Sequence, residues 1–380
     1  MNPETLAYKP GLEGVVAAET RRSYVNGQTG TLLIAGYPLA DIAAQATFEE
    51  VVYVLWRDRL PTAVELTNFK GKLAALRPLP AATLTLLETI AHTGTPVMDA
   101  LRMAVGTLSL DLNDADSDTL AMALVARFPT IVAAYWRLSQ GQNPITPITD
   151  LGHAANYLYM LKGERPSPAQ ARGMATYLNT VSDHGLNAST FTARVIISTQ
   201  SDLVSAITGA VGALKGPLHG GAPGPALDMV FEIGQADRAE AYLRAKIERG
   251  ERLMGFGHRV YKVRDPRAEV LAVAAEKMYR ADGDMALYEL AKSVEGTAVS
   301  LLAEYKPGRN LQTNVEFYTA LLLHGLGLDT ALFTPTFAVG RVGGWLGQCF
   351  EEMANGRLIR PKEVYIGDMN RQWLPLEARG

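Results

Sequence analysis

The sequence has 380 residues, of which 48% are hydrophobic and 20% are charged, with a formal net charge of −3. This length exceeds the size at which one hydrophobic core usually stops growing, so two domains are expected, and the composition excludes a disordered chain or a coiled coil. The small negative charge gives no general attraction to nucleic acid, so anion binding has to be local.

The compartment is indicated by the cysteine count and by the N-terminus. The single cysteine, Cys349, excludes a disulfide within the chain and favours a reducing cytoplasm. The first residues contain no apolar run and no early basic patch, so we expect no targeting signal. The most apolar window, residues 120–138, contains Arg127 and Pro129. We expect two buried helical pieces that meet at the proline, not a membrane span.

Helical periodicity dominates the chain after residue 36. Apolar residues such as Phe48 and Val52 recur at three- and four-residue intervals, which is typical of amphipathic helices. Small strands are expected only within residues 15–37, where Asn26-Gly27 is a typical turn pair. The sequence therefore predicts an all-α fold with a minor N-terminal β element and helices near residues 62–76, 81–91, 97–109, 117–139, 149–161, 168–182, 236–249, 267–280, 285–305 and 317–326, followed by an apolar stretch over 335–350 that returns to the first domain.

The helices beyond residue 220 are more polar than those before it. We predict a large domain formed by residues 1–219 and 326–380, and a smaller, mobile domain formed by residues 220–325. Strands and helices do not alternate as in a nucleotide-binding unit, and the chain contains no G-x-G-x-x-G, no phosphate-binding G-x-x-x-x-G-K-S/T and no G-x-S-x-G. Rossmann, P-loop and α/β-hydrolase functions therefore lose their main support.

The most unusual segment is residues 254–267, MGFGHRVYKVRDPR. Gly255 and Gly257 allow a close approach of the backbone to another group, because they lack a Cβ. His258 follows, and several cations surround the single acid Asp265. Such a segment is either a solvated basic loop or a site in which an anion offsets the repulsion between the cations.

Two further histidines interrupt helical stretches. His184 lies in SDHGLNAST, where one helix should end and the next begin, so its neighbours either cap a helix or bind an anion. His219 lies in KGPLHGG, which is too rich in glycine for a regular helix. Each histidine is either structural or catalytic, but their shared setting, together with that of His258, favours a function. With one cysteine and no closely spaced histidines, no metal site is expected.

Three charged residues complete the candidate site. Glu316 opens an apolar helix, where it is either a favourable charge at a helix N-terminus or a desolvated carboxylate with a raised pKa. Arg341 is a lone cation in an apolar stretch and needs a partner. Arg360, which precedes Pro361, is expected to be exposed unless a second subunit covers it.

With these residues in this order, the chain resembles the citrate synthase family. The resemblance covers nearly the whole chain, from GLEGV at residues 11–15 to Pro361, and its most specific motifs are GPLHGG at 216–221 and GFGHRVY at 255–261. It implies a mainly helical homodimer with a large domain and a small domain that closes over the substrates. The implied reaction condenses acetyl-CoA with oxaloacetate and hydrolyses citryl-CoA to citrate and CoA.

The resemblance also implies roles for individual residues. His219 would hydrogen-bond the thioester carbonyl, Glu316 would remove a methyl proton, and His258 would polarise the oxaloacetate carbonyl. The residues that would hold the carboxylates are His184, Arg267, Arg341 and, from the partner subunit, Arg360. Acetyl-CoA is a co-substrate, so no separate cofactor is expected. The residues expected near acetyl-CoA are Gly255, Gly257, Lys262, Arg264 and Asn314.

Two departures from the family pattern leave alternatives open. The family usually has aspartate where this chain has Glu316, and an Asn-Glu pair where this chain has APGP at 222–225. The extra methylene group would move the carboxylate by more than about 1 Å, a misplacement that can slow catalysis on the order of 10²-fold. Active but slow citrate synthase is therefore expected; the alternatives are 2-methylcitrate synthase, which uses propionyl-CoA, and a silent paralogue that binds CoA or dicarboxylates.

Overall fold

The computed structural model describes residues 8–112, 115–220 and 224–379. Within these residues the chain is mainly helical, which confirms the predicted fold class. The α-helices are α1 (Leu39–Gln45), α2 (Phe48–Arg57), α3 (Ala63–Ala75), α4 (Ala81–Ala91), α5 (Val97–Val105), α6 (Ser117–Ser139), α7 (His153–Lys162), α8 (Pro168–Thr180), α9 (Ala188–Ile197), α10 (Leu203–Leu214), α11 (Gly224–Ile233), α12 (Ala239–Glu248), α13 (Pro266–Asp282), α14 (Met285–Tyr305), α15 (Val315–Gly325) and α16 (Phe333–Asn355).

The predicted N-terminal strands form a small antiparallel sheet, in the order β1 (Ser23–Asn26), β2 (Thr31–Ile34) and β3 (Tyr37–Pro38). The side-chain oxygen of Asn26 accepts hydrogen bonds from the amides of Gln28 and Thr29, at 3.0 and 3.2 Å, and so closes the turn between β1 and β2. The carbonyl of Gly27 in this turn accepts a hydrogen bond from the amide of Lys262 at 2.8 Å. The sheet therefore contacts the 254–267 segment directly.

Helix α6 lies at the centre of the predicted large domain, and all its residues from Ala121 to Tyr135 are buried. The prediction of two pieces meeting at Pro129 was wrong, because a single helix runs through the proline. An internal proline costs about 3 kcal/mol, whereas each large apolar side chain buried around it contributes about 1.5–3 kcal/mol. By length and apolar composition α6 could also cross a membrane, but 83% of its apolar window is buried inside the protein.

Glycines bring α16 close to the end of α8 and to the segment that follows it. A Cβ at Gly340 would lie 3.0 Å from the carbonyl oxygen of Leu178, and one at Gly344 would lie 2.0 Å from that of Ser182. No side chain fits at such distances, so glycine is needed for this close approach. It places Arg341, between the two glycines, beside the residues that precede His184.

In the predicted small domain, α12 packs against α14, and α11 packs against α15. Helix α13 packs against α15, but also against α1 and α8 of the predicted large domain. The region predicted as one helix over 236–249 begins with a 3-10 turn, Ala236–Arg238, before α12, and Gly250 follows with a φ of +76°. The division into two domains stays a prediction.

Candidate active site

A cavity of about 260 Å³ lies between two walls. One wall consists of the segments after α8 and α10 with Arg341 of α16, and the other consists of residues 254–267 with the start of α15. After the predicted domains to which they belong, they are called the large-domain wall and the small-domain wall. Seven residues singled out from the sequence line the cavity: His184, His219, His258, Arg267, Asn314, Glu316 and Arg341. Residues distant in the sequence thus meet in one place. Residues 221–223, which contain part of the departure from the family pattern, lie outside the described residues.

His219 lies in the turn that follows α10, as its glycine-rich surroundings predicted, and its amide donates to the carbonyl of Gly216 at 2.9 Å. Its Nε2 atom accepts a hydrogen bond from the amide of Ser189, in the first turn of α9, at 3.3 Å. Nε2 also lies 2.7 Å from the Ser189 hydroxyl, which can either donate or accept. Because the amide can only donate, it favours the neutral tautomer with the proton on Nδ1. Burial and the neighbouring Arg341 lower the pKa of His219 to about 4. Near pH 7 it is thus a neutral hydrogen-bond donor.

His258 has the opposite tautomer. Its Nδ1 atom accepts hydrogen bonds from the amides of Val260 and Tyr261, at 3.0 and 3.1 Å, so Nε2 carries the proton. Burial, followed by the charge of Arg267, lowers the pKa of His258 to about 4. Nε2 lies 3.3 Å from Nη2 of Arg267. Since both atoms are donors, an acceptor oxygen placed in the cavity can bind to both.

His184 lies between α8 and α9, as predicted, and Asn187 caps α9 by accepting the amide hydrogen of Thr190 at 3.1 Å. The Nε2 atom of His184 lies 3.0 Å from the hydroxyl of Tyr261, which belongs to the opposite wall. Burial, and then the charges of Arg267 and Arg341, hold the pKa of His184 well below its ordinary value. All three histidines of the cavity are therefore neutral near pH 7.

Glu316 is in the first turn of α15, where the side-chain oxygen of Asn314 accepts its amide hydrogen at 2.9 Å. Burial raises the pKa of Glu316 to about 7, although the charge of Arg267 opposes the shift. Desolvation is the cause that its apolar neighbours in the sequence suggested. A carboxyl group with this pKa exchanges protons readily near neutral pH, as a general base must.

Arg267 is buried against Asp265, and the two side chains form an ion pair at 2.8 Å. Asp265 also accepts the amide hydrogen of Arg267 at 3.0 Å, at the start of α13. The aspartate thus caps the helix and orients the guanidinium. This role of Asp265 was not predicted from the sequence, although an aspartate followed by Pro266 at a helix start is a recognisable signal.

Arg341 is 1% exposed, yet no described residue forms an ion pair with it. Its Nε atom donates to the carbonyl of Val181 at 2.5 Å, and its guanidinium lies 4.6 Å from the ring centroid of Phe337. Burial lowers the pKa of Arg341 to about 10, and the charge of Asp183 opposes the shift. The partner expected from the sequence is therefore a carbonyl and an aromatic ring, and the described part of the chain supplies no carboxylate in an ion pair with Arg341.

Gly255 and Gly257 have φ angles of +87° and +81° and do not line the cavity. Gly255 accepts the amide hydrogen of Asn314 at 2.9 Å, and the amide of Gly257 donates to the carbonyl of Gln312 at 2.7 Å. The Asn314 side chain also donates to the carbonyl of Gly257 at 2.8 Å. The glycines therefore join the His258 segment to the start of α15, and their contact with CoA stays a prediction.

The remaining predicted residues do not line the cavity. Lys262 is exposed. Arg264 forms ion pairs with Glu295 and Glu269, at 2.7 and 3.0 Å, so it is less available to a ligand than the sequence suggested. Arg360 is exposed in the segment that follows α16, as expected for a single subunit.

Asp183 is a further residue that the sequence analysis did not single out. It is fully buried beside His184, and its Oδ2 atom accepts hydrogen bonds from the Ser23 hydroxyl and the Gln348 amide, at 2.5 and 3.2 Å. Burial raises its pKa. It connects β1, α16 and the His184 segment, a link across the chain that no local pattern contains.

Among the residues described, no group of three or more histidine, cysteine or acidic side chains is arranged to hold a metal ion.

Comparison with known proteins identifies the family. The family model for the citrate synthase C-terminal domain matches residues 11–362. Citrate synthase 2 of Bacillus subtilis is 42% identical, over 97% of this chain and 98% of that protein. A 2-methylcitrate synthase of Mycobacterium tuberculosis is 39% identical, over 96% of this chain and 91% of that protein. The crystal structure of citrate synthase from Pyrobaculum aerophilum has a TM-score of 0.87 and 37% identity, and the match covers 97% of this chain and 95% of that one.

The family model and the relatives span nearly the full length of the chain, so the likeness includes both cavity walls as well as the fold. The sequence-based predictions of the family and of an enzyme are thereby confirmed. This chain belongs to the citrate synthase family.

Proposed function

We propose that this enzyme condenses acetyl-CoA with oxaloacetate and hydrolyses the resulting citryl-CoA to citrate and CoA. The observation that carries the proposal is the pairing of Glu316, whose pKa is raised to about 7, with three neutral histidines around one cavity. Enolisation of a thioester needs a base for the methyl proton and a donor for the oxyanion that develops. Glu316 supplies the base and His219 supplies the donor.

Oxaloacetate binds through the cations of the two walls. Arg341 lacks an ionic partner among the described residues and offers its guanidinium to a carboxylate, which a planar fork can bind bidentately. Arg267 is held in place by Asp265 and offers a second contact. His184 donates to a substrate carboxylate. In a homodimer, Arg360 of the partner subunit adds the last cation, since Arg360 is exposed and away from the cavity of its own chain.

In the enolisation step, Glu316 removes a proton from the acetyl methyl group while Nδ1–H of His219 donates to the thioester oxygen. The tautomer favoured by the Ser189 amide supports this role, because it leaves the Nδ1 proton free to donate. A single donor aimed at a developing oxyanion contributes roughly 3–4 kcal/mol in comparable sites. The low pKa of His219 makes it a hydrogen-bond donor near pH 7, not a cation.

In the condensation step, the enol carbon attacks the ketone carbonyl of oxaloacetate. Nε2–H of His258 and the nearby Arg267 donate hydrogen bonds to that carbonyl oxygen. Their 3.3 Å separation as two donors supports a shared acceptor. As the new carbon–carbon bond forms, this oxygen takes up one proton, which balances the one that Glu316 removed from the methyl group, and becomes the hydroxyl of citryl-CoA. Water then cleaves the thioester and releases citrate and CoA.

Lys262, exposed at the edge of the small-domain wall, contacts a CoA phosphate, and Arg264 does so only if it leaves its ion pairs.

The single cysteine supports a cytoplasmic location.

The second candidate is 2-methylcitrate synthase, because a relative of that name is 39% identical over 96% of the chain. One additional methyl group in an apolar pocket changes binding by only about 1–3 kcal/mol. The same base and donors serve both acyl groups. The silent paralogue has less support, since the base and the donors meet in one cavity.

A thiol-release assay with oxaloacetate and either acetyl-CoA or propionyl-CoA separates the three functions. We expect turnover with both, and a higher kcat/KM with acetyl-CoA. A higher kcat/KM with propionyl-CoA would establish 2-methylcitrate synthase instead. Absence of turnover with both, in protein that still binds oxaloacetate, would establish the silent paralogue.

A further inference from the structure

Tyr261 does not line the cavity, yet it contacts three residues that do. Its side chain is 3% exposed. Its hydroxyl lies 3.0 Å from Nε2 of His184, and its ring centroid lies 5.0 Å from that of His258. The guanidinium carbon of Arg267 lies 5.8 Å from the same ring. Tyr261 therefore touches the residues proposed for oxaloacetate binding from behind.

The hydroxyl matters because of the tautomer of His184. A neutral imidazole has one donor and one acceptor nitrogen. If the Tyr261 hydroxyl donates to Nε2, then Nδ1 carries the proton and can donate to a carboxylate. With the roles reversed, Nδ1 is an acceptor and repels the carboxylate. The bound substrate therefore selects the arrangement in which Tyr261 donates.

The same contact joins the two walls. Tyr261 belongs to the small-domain wall and His184 to the large-domain wall, so their hydrogen bond forms only when the walls are as close as in this structure. The amide of Tyr261 also donates to Nδ1 of His258 at 3.1 Å. One residue thus contributes to the tautomers of two histidines, through its side chain in one case and through its backbone in the other.

We propose that Tyr261 is a positioning residue for oxaloacetate: its hydroxyl orients His184 and fixes the tautomer in which that ring donates to a substrate carboxylate. The inference rests on the proposed role of His184 in substrate binding. Tyr261 itself does not contact the substrate, and acts through His184. Removing the hydroxyl should therefore weaken oxaloacetate binding more than it slows the chemical steps.

The test is a double-mutant cycle with Tyr261→Phe, His184→Ala and the double variant, read out as the Kd of oxaloacetate by titration calorimetry and as kcat and KM by thiol release. We expect Tyr261→Phe to weaken oxaloacetate binding about tenfold, the equivalent of one lost hydrogen bond to a charged or polarised group. Added to His184→Ala, the same change should weaken binding by less than about twofold, because its effect passes through the missing ring. The KM of oxaloacetate should change more than kcat.

Tyr279→Phe is the matched control. Tyr279 is also 3% exposed, and its hydroxyl donates to the carbonyl of Leu321 at 2.9 Å, away from the cavity. It should bind oxaloacetate as the wild-type chain does, and thermal unfolding checks that the variants remain folded. Unchanged oxaloacetate affinity in Tyr261→Phe, or effects of the two changes that multiply in the double variant, would overturn the proposal. Because Kd is measured without turnover, wild-type protein that binds oxaloacetate but makes no citrate would refute the proposed function and leave this test intact.

Discussion

Arg341 and Arg267 face the same cavity from opposite walls, but only Arg267 has an ionic partner among the described residues. In the large-domain wall, Gly340 and Gly344 on either side of Arg341 allow α16 to approach the end of α8 closely. Burial lowers the pKa of Arg341 to about 10. In the small-domain wall, Asp265 orients Arg267 through an ion pair and a helix cap. A buried cation without a partner is costly and is a better candidate for binding a substrate anion than one already paired.

The largest expected effect concerns Glu316, the base of the small-domain wall. Glu316→Gln removes the group that accepts the methyl proton but retains nearly the same shape. We expect kcat for thiol release to fall by about 10²–10⁴-fold, the usual contribution of a general base. Oxaloacetate affinity measured by calorimetry is the control and should change little. Substantial turnover in this variant would remove Glu316 as the base.

The two arginines should differ in stability when each is replaced by methionine. Arg267→Met leaves Asp265 buried without its partner, and we expect it to lower the free energy of unfolding by about 3–5 kcal/mol. Arg341→Met removes an unpaired buried cation, so the protein should unfold at the same or a higher denaturant concentration while oxaloacetate binding is lost. Denaturant titration of both variants makes the comparison. Equal destabilisation would show that Arg341 has a structural partner after all.

Glu316 should also reduce stability in the wild-type protein. Its folded pKa of about 7 lies above the ordinary value of 4.5, so the folded state holds the proton more tightly, and stability falls as the pH rises from 4.5 to 7. Glu316→Gln abolishes this cost. At pH 8 we expect the free energy of unfolding of the variant to exceed that of the wild type by about 2–3 kcal/mol, with little difference at pH 4. The same difference at both pH values would exclude titration of Glu316 as the cause.

The smallest expected effect concerns the two cations at the edge of the small-domain wall. Lys262 is exposed, whereas Arg264 forms ion pairs with Glu295 and Glu269. Lys262→Ala should raise the KM of acetyl-CoA by about two- to fivefold, as expected for one exposed charge pair, and added salt should reduce the difference. Arg264→Ala should instead lower the melting temperature. A large rise in the KM of acetyl-CoA in Arg264→Ala alone would assign the phosphate contact to Arg264.

Much of the fold was predictable because its signals are local. The periodicity over 285–305 predicted the bounds of α14, and glycine-rich breaks located the turns that carry His184 and His219. The prediction of a break at Pro129 was wrong, because the free energy gained by burying α6 outweighs the low helix propensity of one proline. Tertiary packing regularly overrides local propensity in this way.

The candidate site was predictable where a residue type is unusual in its setting, as for Glu316 and Arg341. Three features were not accessible from local patterns: the hydroxyl of Tyr261 on His184, the links made by Asp183, and the ion pairs of Arg264. Each depends on contacts between segments far apart in the chain. The tautomers of His219 and His258 likewise depend on which backbone amides reach their rings.

The pH dependence of kcat/KM for acetyl-CoA tests the central claim most directly, since this parameter reports ionisations of the free enzyme. Burial lowers the pKa values of His219 and His258 to about 4 and raises that of Glu316 to about 7, so Glu316 is the cavity group expected to titrate near neutrality. We predict a rate that is constant above about pH 8 and falls about tenfold per unit below pH 7. A rate that stays constant down to pH 5 would contradict a buried Glu316 acting as the catalytic base.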